Sequence, residues 1–227
     1  MEWFDRLKAD FYLNFIQEDR WRFLTSGLLN TLQITLFTVL RGIAIGVVVA
    51  IVRSTYDKTR DELPPGAGRF FLSLANGLCQ VYLTVIRGTP VVVQLMIMYY
   101  IIFASSRNGV AVATLAFGVN SGAYVAEIFR AGIMSIDQGQ FEAGRSLGFN
   151  YVRTMQYIIV PQAFKNVLPS LANEFIVLLK ETSVAGYVTV RDLTMGGNII
   201  RSVTYSPFLP LLAVALFYLV MVIVFTW

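Results

Sequence analysis

Asp137-Gln-Gly-Gln-Phe-Glu-Ala-Gly-Arg-Ser-Leu-Gly148, DQGQFEAGRSLG in one-letter code, is a polar island between two strongly apolar stretches. Asp137 is suited to cap a helix N-terminus, and Gln140 three residues on completes a capping-box arrangement. Gly148 suits the position just past a helix C-terminus, where φ is positive. The spacing predicts a helix of about two to three turns. Phe141 and Leu147 fall roughly on one side, with Glu142, Arg145 and Ser146 available to the other. So short a helix is not stable alone in water, so it must dock on something.

The island stands out because the rest of the chain is oily. Of 227 residues, 56% are hydrophobic and only 14% charged, against roughly 25% charged in an ordinary soluble domain. Apolar runs near 28–52, 70–104, 110–134, 158–179 and 207–227 each reach or exceed the ~20 residues that cross a hydrocarbon core as a helix. The expectation is five spans. Alternating polarity in short segments, the mark of an outer-membrane barrel, is absent. Lipid-exposed backbone must satisfy its own hydrogen bonds, so the fold class is an all-α membrane protein.

The ends and charges add detail. Glu2 and Asp5 lie where a secretory leader would be basic, so no targeting peptide is expected to be removed. Trp3, Phe4, Leu7, Phe11 and Phe15 recur at spacings of three and four among charges, as in a helix lying in the membrane interface. Residues 1–23 therefore read as an interfacial segment and 24–227 as the transmembrane domain. The formal charge is +4, but arginines and lysines mostly sit at span ends, so no nucleic-acid binding is inferred. Their numbers on the two sides are close, so charge alone does not orient the chain. The single cysteine, Cys79, lies in an apolar run and excludes an intrachain disulfide.

Between the first two runs, Arg53 to Arg69 carries several charges and Pro64-Pro65, and reads as a water-facing loop. The run 70–104 would be about 52 Å long as one helix, far more than a ~30 Å core. Its expected interruption is Arg87-Gly88-Thr89-Pro90, because Pro90 has no N–H and Gly88 lets a backbone or ligand approach. Such a break is tolerated only where protein or a water-filled cavity satisfies the freed groups.

A charge in mid-span costs roughly 2.5 to 3.5 kcal/mol on insertion scales, so each must be paired, hydrated or functional. Asn120, Tyr124 and Glu127 follow at spacings of four and three, forming one stripe, with Arg130 near its end. Ser170, Glu174 and Glu181 form another, beside Asn173 and Lys180. A cavity walled by Arg87, Thr89, Asn120, Tyr124, Glu127 and Glu174 could hold a zwitterion, each end meeting an opposite charge. The plainer role is a strut, with Arg87 pairing Glu127 or Glu174 to hold helices in register; both can hold at once. Arg41, mid-way along the first span, has no acid on its own helix and needs a partner from elsewhere.

Several classes are excluded or disfavoured. There is no G-x-x-x-x-G-K-[ST] phosphate loop, no histidine and no cluster of metal ligands, so no catalytic or metal-binding residue is assigned. An ion-coupled secondary transporter or channel using the buried charges as a relay is the alternative reading, but it leaves the island without a purpose.

The residues around the island resemble a known family. Glu142-Ala143-Gly144, Gly148 six residues after the glutamate, and Ile158-Ile159-Val160-Pro161 match the EAA loop of permease subunits of binding-protein-dependent ABC importers. EAGRSLGFNYVRTMQYIIVPQAFKNVLPSLANEFIVLLKETS, VIRGTPVVVQL and NSGAYVAEIFRAGI are similar to the polar amino acid subclass, over about residues 24–226. The resemblance implies a five-transmembrane-helix ABC importer permease fold in a bacterial inner membrane. Residues 137–148 would then be the cytoplasmic coupling helix, docked on an ATPase through Phe141, Glu142, Ala143, Gly144, Arg145, Leu147 and Gly148. It further implies that the N-terminus and loop 185–206 are extracytoplasmic and the C-terminus cytoplasmic. Expected partners are two ATP-binding subunits that hold ATP and Mg, a second permease copy in a homodimer or heterodimer, an extracytoplasmic substrate-binding protein, a polar amino acid and membrane lipid. Gly144 stands where the family has alanine, costing roughly 1 kcal/mol of helix propensity. The chain ends at Phe225-Thr226-Trp227 without the basic tail expected there.

Overall fold

The computed structural model describes residues 2–60 and 63–226, with only the backbone of Glu2; Met1, the loop acids Asp61 and Glu62, and the final Trp227 lie outside the described residues. Regular structure among the described residues is entirely helical. α1 (Glu2–Phe11) exposes Trp3, Phe4 and Phe11, as an interfacial helix would. Phe15, on the following turn, departs from that stripe and enters the core. α2 (Trp21–Thr59) has 39 residues, about 58 Å at 1.5 Å per residue. The loop expected from Arg53 therefore starts later than its charges suggested, because Arg53 to Thr59 contains no helix breaker and Pro64-Pro65 does the stopping.

α3 (Ala67–Gly88) and α4 (Val91–Ile97) are separated at the expected break, where Thr89 takes the extended backbone, φ −123° and ψ 145°, that a following proline favours. A π-helical turn Met98–Ile102 follows α4, and α5 (Gly109–Met134) comes next. α6 (Gln138–Ser146) is the island, and α7 (Tyr151–Thr154) leads through a π turn, Met155–Ile159, into α8 (Val160–Glu181). The π turn sits where the ring of Pro161 would press on the carbonyl four residues back, and the wider turn relieves that clash. A 3₁₀ segment Thr182–Val188 precedes α9 (Leu193–Thr204) and α10 (Phe208–Thr226).

α2, α3, α5 and α10 are long and apolar enough to cross a membrane. α8 matches α3 in length at 22 residues but is interrupted by Lys165, Asn166, Asn173 and Glu174. The fourth expected span, 158–179, thus falls outside that set, because its helix carries these polar residues.

The chain forms two compact units. The first comprises residues up to Thr38, Val92–Phe117 and the chain from Ile176 on; its core is built from Phe15, Leu24, Leu179, Leu193, Ile200, Val214 and Met221. Asn14 is fully buried there but satisfied, donating to Asp10 O and Ser206 Oγ and accepting from Thr204 Oγ1. The second unit comprises Val39–Val91 and Gly118–Phe175. In it α2 meets α5 through small residues: a Cβ on Gly42 would lie 2.7 Å from Ser121 Oγ, and one on Gly46 2.5 Å from Val125 Cγ1. Such close approach is how membrane helices associate where burial of apolar surface offers no driving force.

Candidate translocation path and docking helix

Within the second unit, three of the path candidates, Arg87, Tyr124 and Glu127, come together. Arg87, one residue before the end of α3, places Nη1 3.9 Å from Glu127 Oε1 and its guanidinium carbon 5.9 Å from the centroid of the Tyr124 ring. The two side chains stay 46% and 34% exposed, so the pair is open rather than sealed. An open pair at this separation contributes little to stability and leaves room for another charged group. Glu127 borders two cavities. One, of about 530 Å³, is also lined by Arg53, Gln80, Thr84, Arg87 and Gly88; the other, of about 690 Å³, by Ala131, Ser135, Asn166 and Ser170 among others. Apart from its chain neighbours and its own helix backbone, no described atom lies within 4 Å of where a Gly88 Cβ would sit, so this glycine faces open space rather than a close backbone.

The remaining path residues are held differently. Glu174 accepts a 3.0 Å hydrogen bond from Ser121 Oγ on α5, so the strut pairing with Arg87 falls to Glu127. Asn120 is only 3% exposed, packed in rather than facing open space. Thr89 donates its hydroxyl to Val85 O, closing the end of α3. Arg130 lies 3.3 Å from Asp57 Oδ2, joining the ends of α5 and α2, though not in hydrogen-bonding geometry at Nε. No local signal marks Ser121 or Asp57, because the partner of each lies on another helix. Arg53 was likewise counted with the loop charges, yet it lines the smaller cavity with a buried Nε that has no hydrogen-bond partner among the described residues. Arg41 is exposed on α2 with no ion pair among the described residues.

α6 is docked on three sides. Asp137 caps it by accepting from Gly139 N–H at 2.7 Å. Gln140 does not reach back to complete the capping box; its Oε1 accepts from Gln162 on α8 at 3.1 Å. Phe141 packs against Ile133, Ile159 and Ala163, with the Lys58 ammonium 4.5 Å from its ring centroid. The C-terminus is a Schellman motif: Phe149 N–H bonds Gly144 O and Gly148 N–H bonds Arg145 O, with Gly148 at φ 76°. Gly144 is buried against α7, where a Cβ would fall 2.6 Å from Thr154 Cγ2 and Oγ1. The residue is small because of this internal contact. Glu142, Ala143, Arg145 and Leu147 are exposed, Leu147 by 69%.

These features define a multi-pass helical membrane protein with charged groups beside open cavities and a short amphipathic helix fastened outside its spans. The model of binding-protein-dependent transport system inner membrane components matches residues 66–227, and the chain belongs to that family. It is 34% identical over 209 residues to an arginine transport system permease protein of Bacillus subtilis, covering 90% of this chain and 88% of the relative. A glutamine transport system permease protein of Escherichia coli is 34% identical over 208 residues, with the same two shares. Among solved structures, the fold is similar to that of an amino acid ABC transporter with histidines, at a TM-score of 0.78 and 38% identity over 90% of both chains.

Proposed function

We propose that this chain is the permease subunit of an ATP-driven importer of polar amino acids, working by alternating access. α6 is the coupling helix: the observation that carries the reading is a well-capped helix fastened by Gln162, Thr154 and Lys58 while Glu142, Ala143, Arg145 and Leu147 stay uncovered. A short helix so rigidly backed transmits a push to α2, α7 and α8 rather than bending under it. The uncovered face takes the ATPase, and Gly144 and Phe141 serve the backing. Two ATPase subunits supply ATP and Mg, a second permease copy completes the path, and an external binding protein delivers the substrate. The N-terminus and the 185–206 segment face outward, and α6 and the C-terminus face the cytoplasm.

The open Arg87–Glu127 pair supports an amino acid as cargo. Its carboxylate would take Arg87 and its ammonium Glu127, with Tyr124 covering the guanidinium. The names of the arginine and glutamine relatives agree with that chemistry. Reconstitution in liposomes tests the reading. Uptake should require the ATPase subunits and ATP, and Glu142→Lys should abolish uptake while leaving binding-protein docking intact. Transport driven by an ion gradient without ATP, or unchanged uptake by Glu142→Lys, would overturn it.

A further inference from the structure

The first unit contains a cleft of about 690 Å³ between the segment that leads into α5 and the turn that leads into α9. Arg107 stands on one wall and Arg191 on the other, both exposed. Neither has an acidic partner among the described residues, whereas Arg20 and Arg22 are paired at 3.1 Å with Glu18 and Asp19. No Asp or Glu lines the cleft.

The walls are fastened by bonds that leave both guanidinium groups free. Asn30 Nδ2 donates to Arg191 O at 2.8 Å, and the hydroxyls of Tyr99 and Thr189 meet at 3.2 Å. Asn108 Oδ1 caps α5 by accepting from Ala111 N–H at 3.0 Å. Thr189 is held at φ 61°, a left-handed conformation that a β-branched residue rarely adopts and that persists only where the surroundings enforce it. Two unpaired guanidinium groups on rigid walls make a seat for carboxylates, which each can grip bidentately. A free zwitterionic amino acid fits poorly, since its ammonium would find no acid there.

We propose that this cleft is the docking seat for acidic side chains of the extracytoplasmic substrate-binding protein, with Arg107 and Arg191 receiving one carboxylate each. The inference rests on the functional reading above, which puts this face outside the cytoplasm. Ion pairs at an exposed seat speed encounter and set register, so the contact is salt-sensitive.

The test uses the whole importer in nanodiscs of neutral lipid and its cognate binding protein as probe. Wild-type affinity should fall as salt rises, and Arg107→Gln/Arg191→Gln should weaken binding by roughly ten- to hundredfold and flatten the salt dependence. ATPase activity without binding protein should stay at the wild-type rate. Salt-independent wild-type affinity, or an unchanged Kd in the double variant, overturns the proposal. So does a double-variant defect that emerges only when anionic lipid is added, which would make a headgroup the occupant. Should the variant not assemble, the wild-type salt series still decides, together with Asn and Gln substitutions of the binding protein's surface acids: unchanged affinity on neutralising them overturns the proposal. Wild-type complex that fails ATP-driven uptake sinks the functional reading itself; complex that transports but binds independently of salt sinks only the docking seat.

Discussion

Gly144 lowers the helix propensity of α6, yet Thr154 leaves no room for anything larger. Gly144→Ala should gain roughly 1 kcal/mol of propensity and lose about 1 to 3 kcal/mol to overpacking, a net destabilisation in thermal unfolding. Thr154→Ala in the same chain should reverse the loss, a coupling that a double-mutant cycle measures. A Gly144→Ala chain more stable than wild type would show that the contact gives way easily. Glu174 poses a different question, because its bond to Ser121 could serve structure or transport. Glu174→Gln keeps an acceptor for Ser121 and removes the charge. Uptake should fall several-fold or change preference while complex yield holds; a defect confined to yield would make Glu174 a strut.

At the scale of elements, α6 is where local chemistry and packing meet most closely. The cap at Asp137 and the left-handed position at Gly148 were legible because each depends on a few neighbouring residues. Gly148→Ala should cost roughly 1 kcal/mol, since a Cβ is disfavoured at positive φ. Gly148→Asn should cost less, because asparagine tolerates that region. Equal losses for the two variants would remove the backbone explanation. The break at Pro90 was equally legible, for a proline acts on its own backbone and on the residue before it. The ends of α2 were not: charges at Arg53 to Lys58 looked like loop, but charge alone does not terminate a helix. Gln140 also misled, because in sequence it lies three residues from Asp137 and in the fold it lies beside Gln162.

At the scale of the whole molecule, stability should carry a pH signature from Asp192, the wholly buried cap of α9. Burial pushes its carboxyl up from 3.8 to about 7, against the pull of the Met195 N–H bond. In that window the folded chain holds a proton that the unfolded chain has lost, so stability falls as pH rises from about 4 to about 7 and then levels. The melting temperature of the purified chain should follow that course, and Asp192→Asn, which keeps the cap, should flatten it. A melting temperature that rises across this range would contradict the burial argument.

The sequence by itself determined that this is a helical membrane protein, where its second apolar run breaks and where α6 begins and ends. Those properties follow from run length, proline and glycine backbones, and caps, all of which act over a few residues. Only the tertiary structure decided that Arg87 meets Glu127, that Glu174 meets Ser121, that Asp57 meets Arg130 and that Gly144 makes way for Thr154. Each of those pairs joins residues from different helices. Which charge finds which partner depends on the rotation and register that close contacts such as Gly42 and Gly46 against α5 impose, and no local pattern records it.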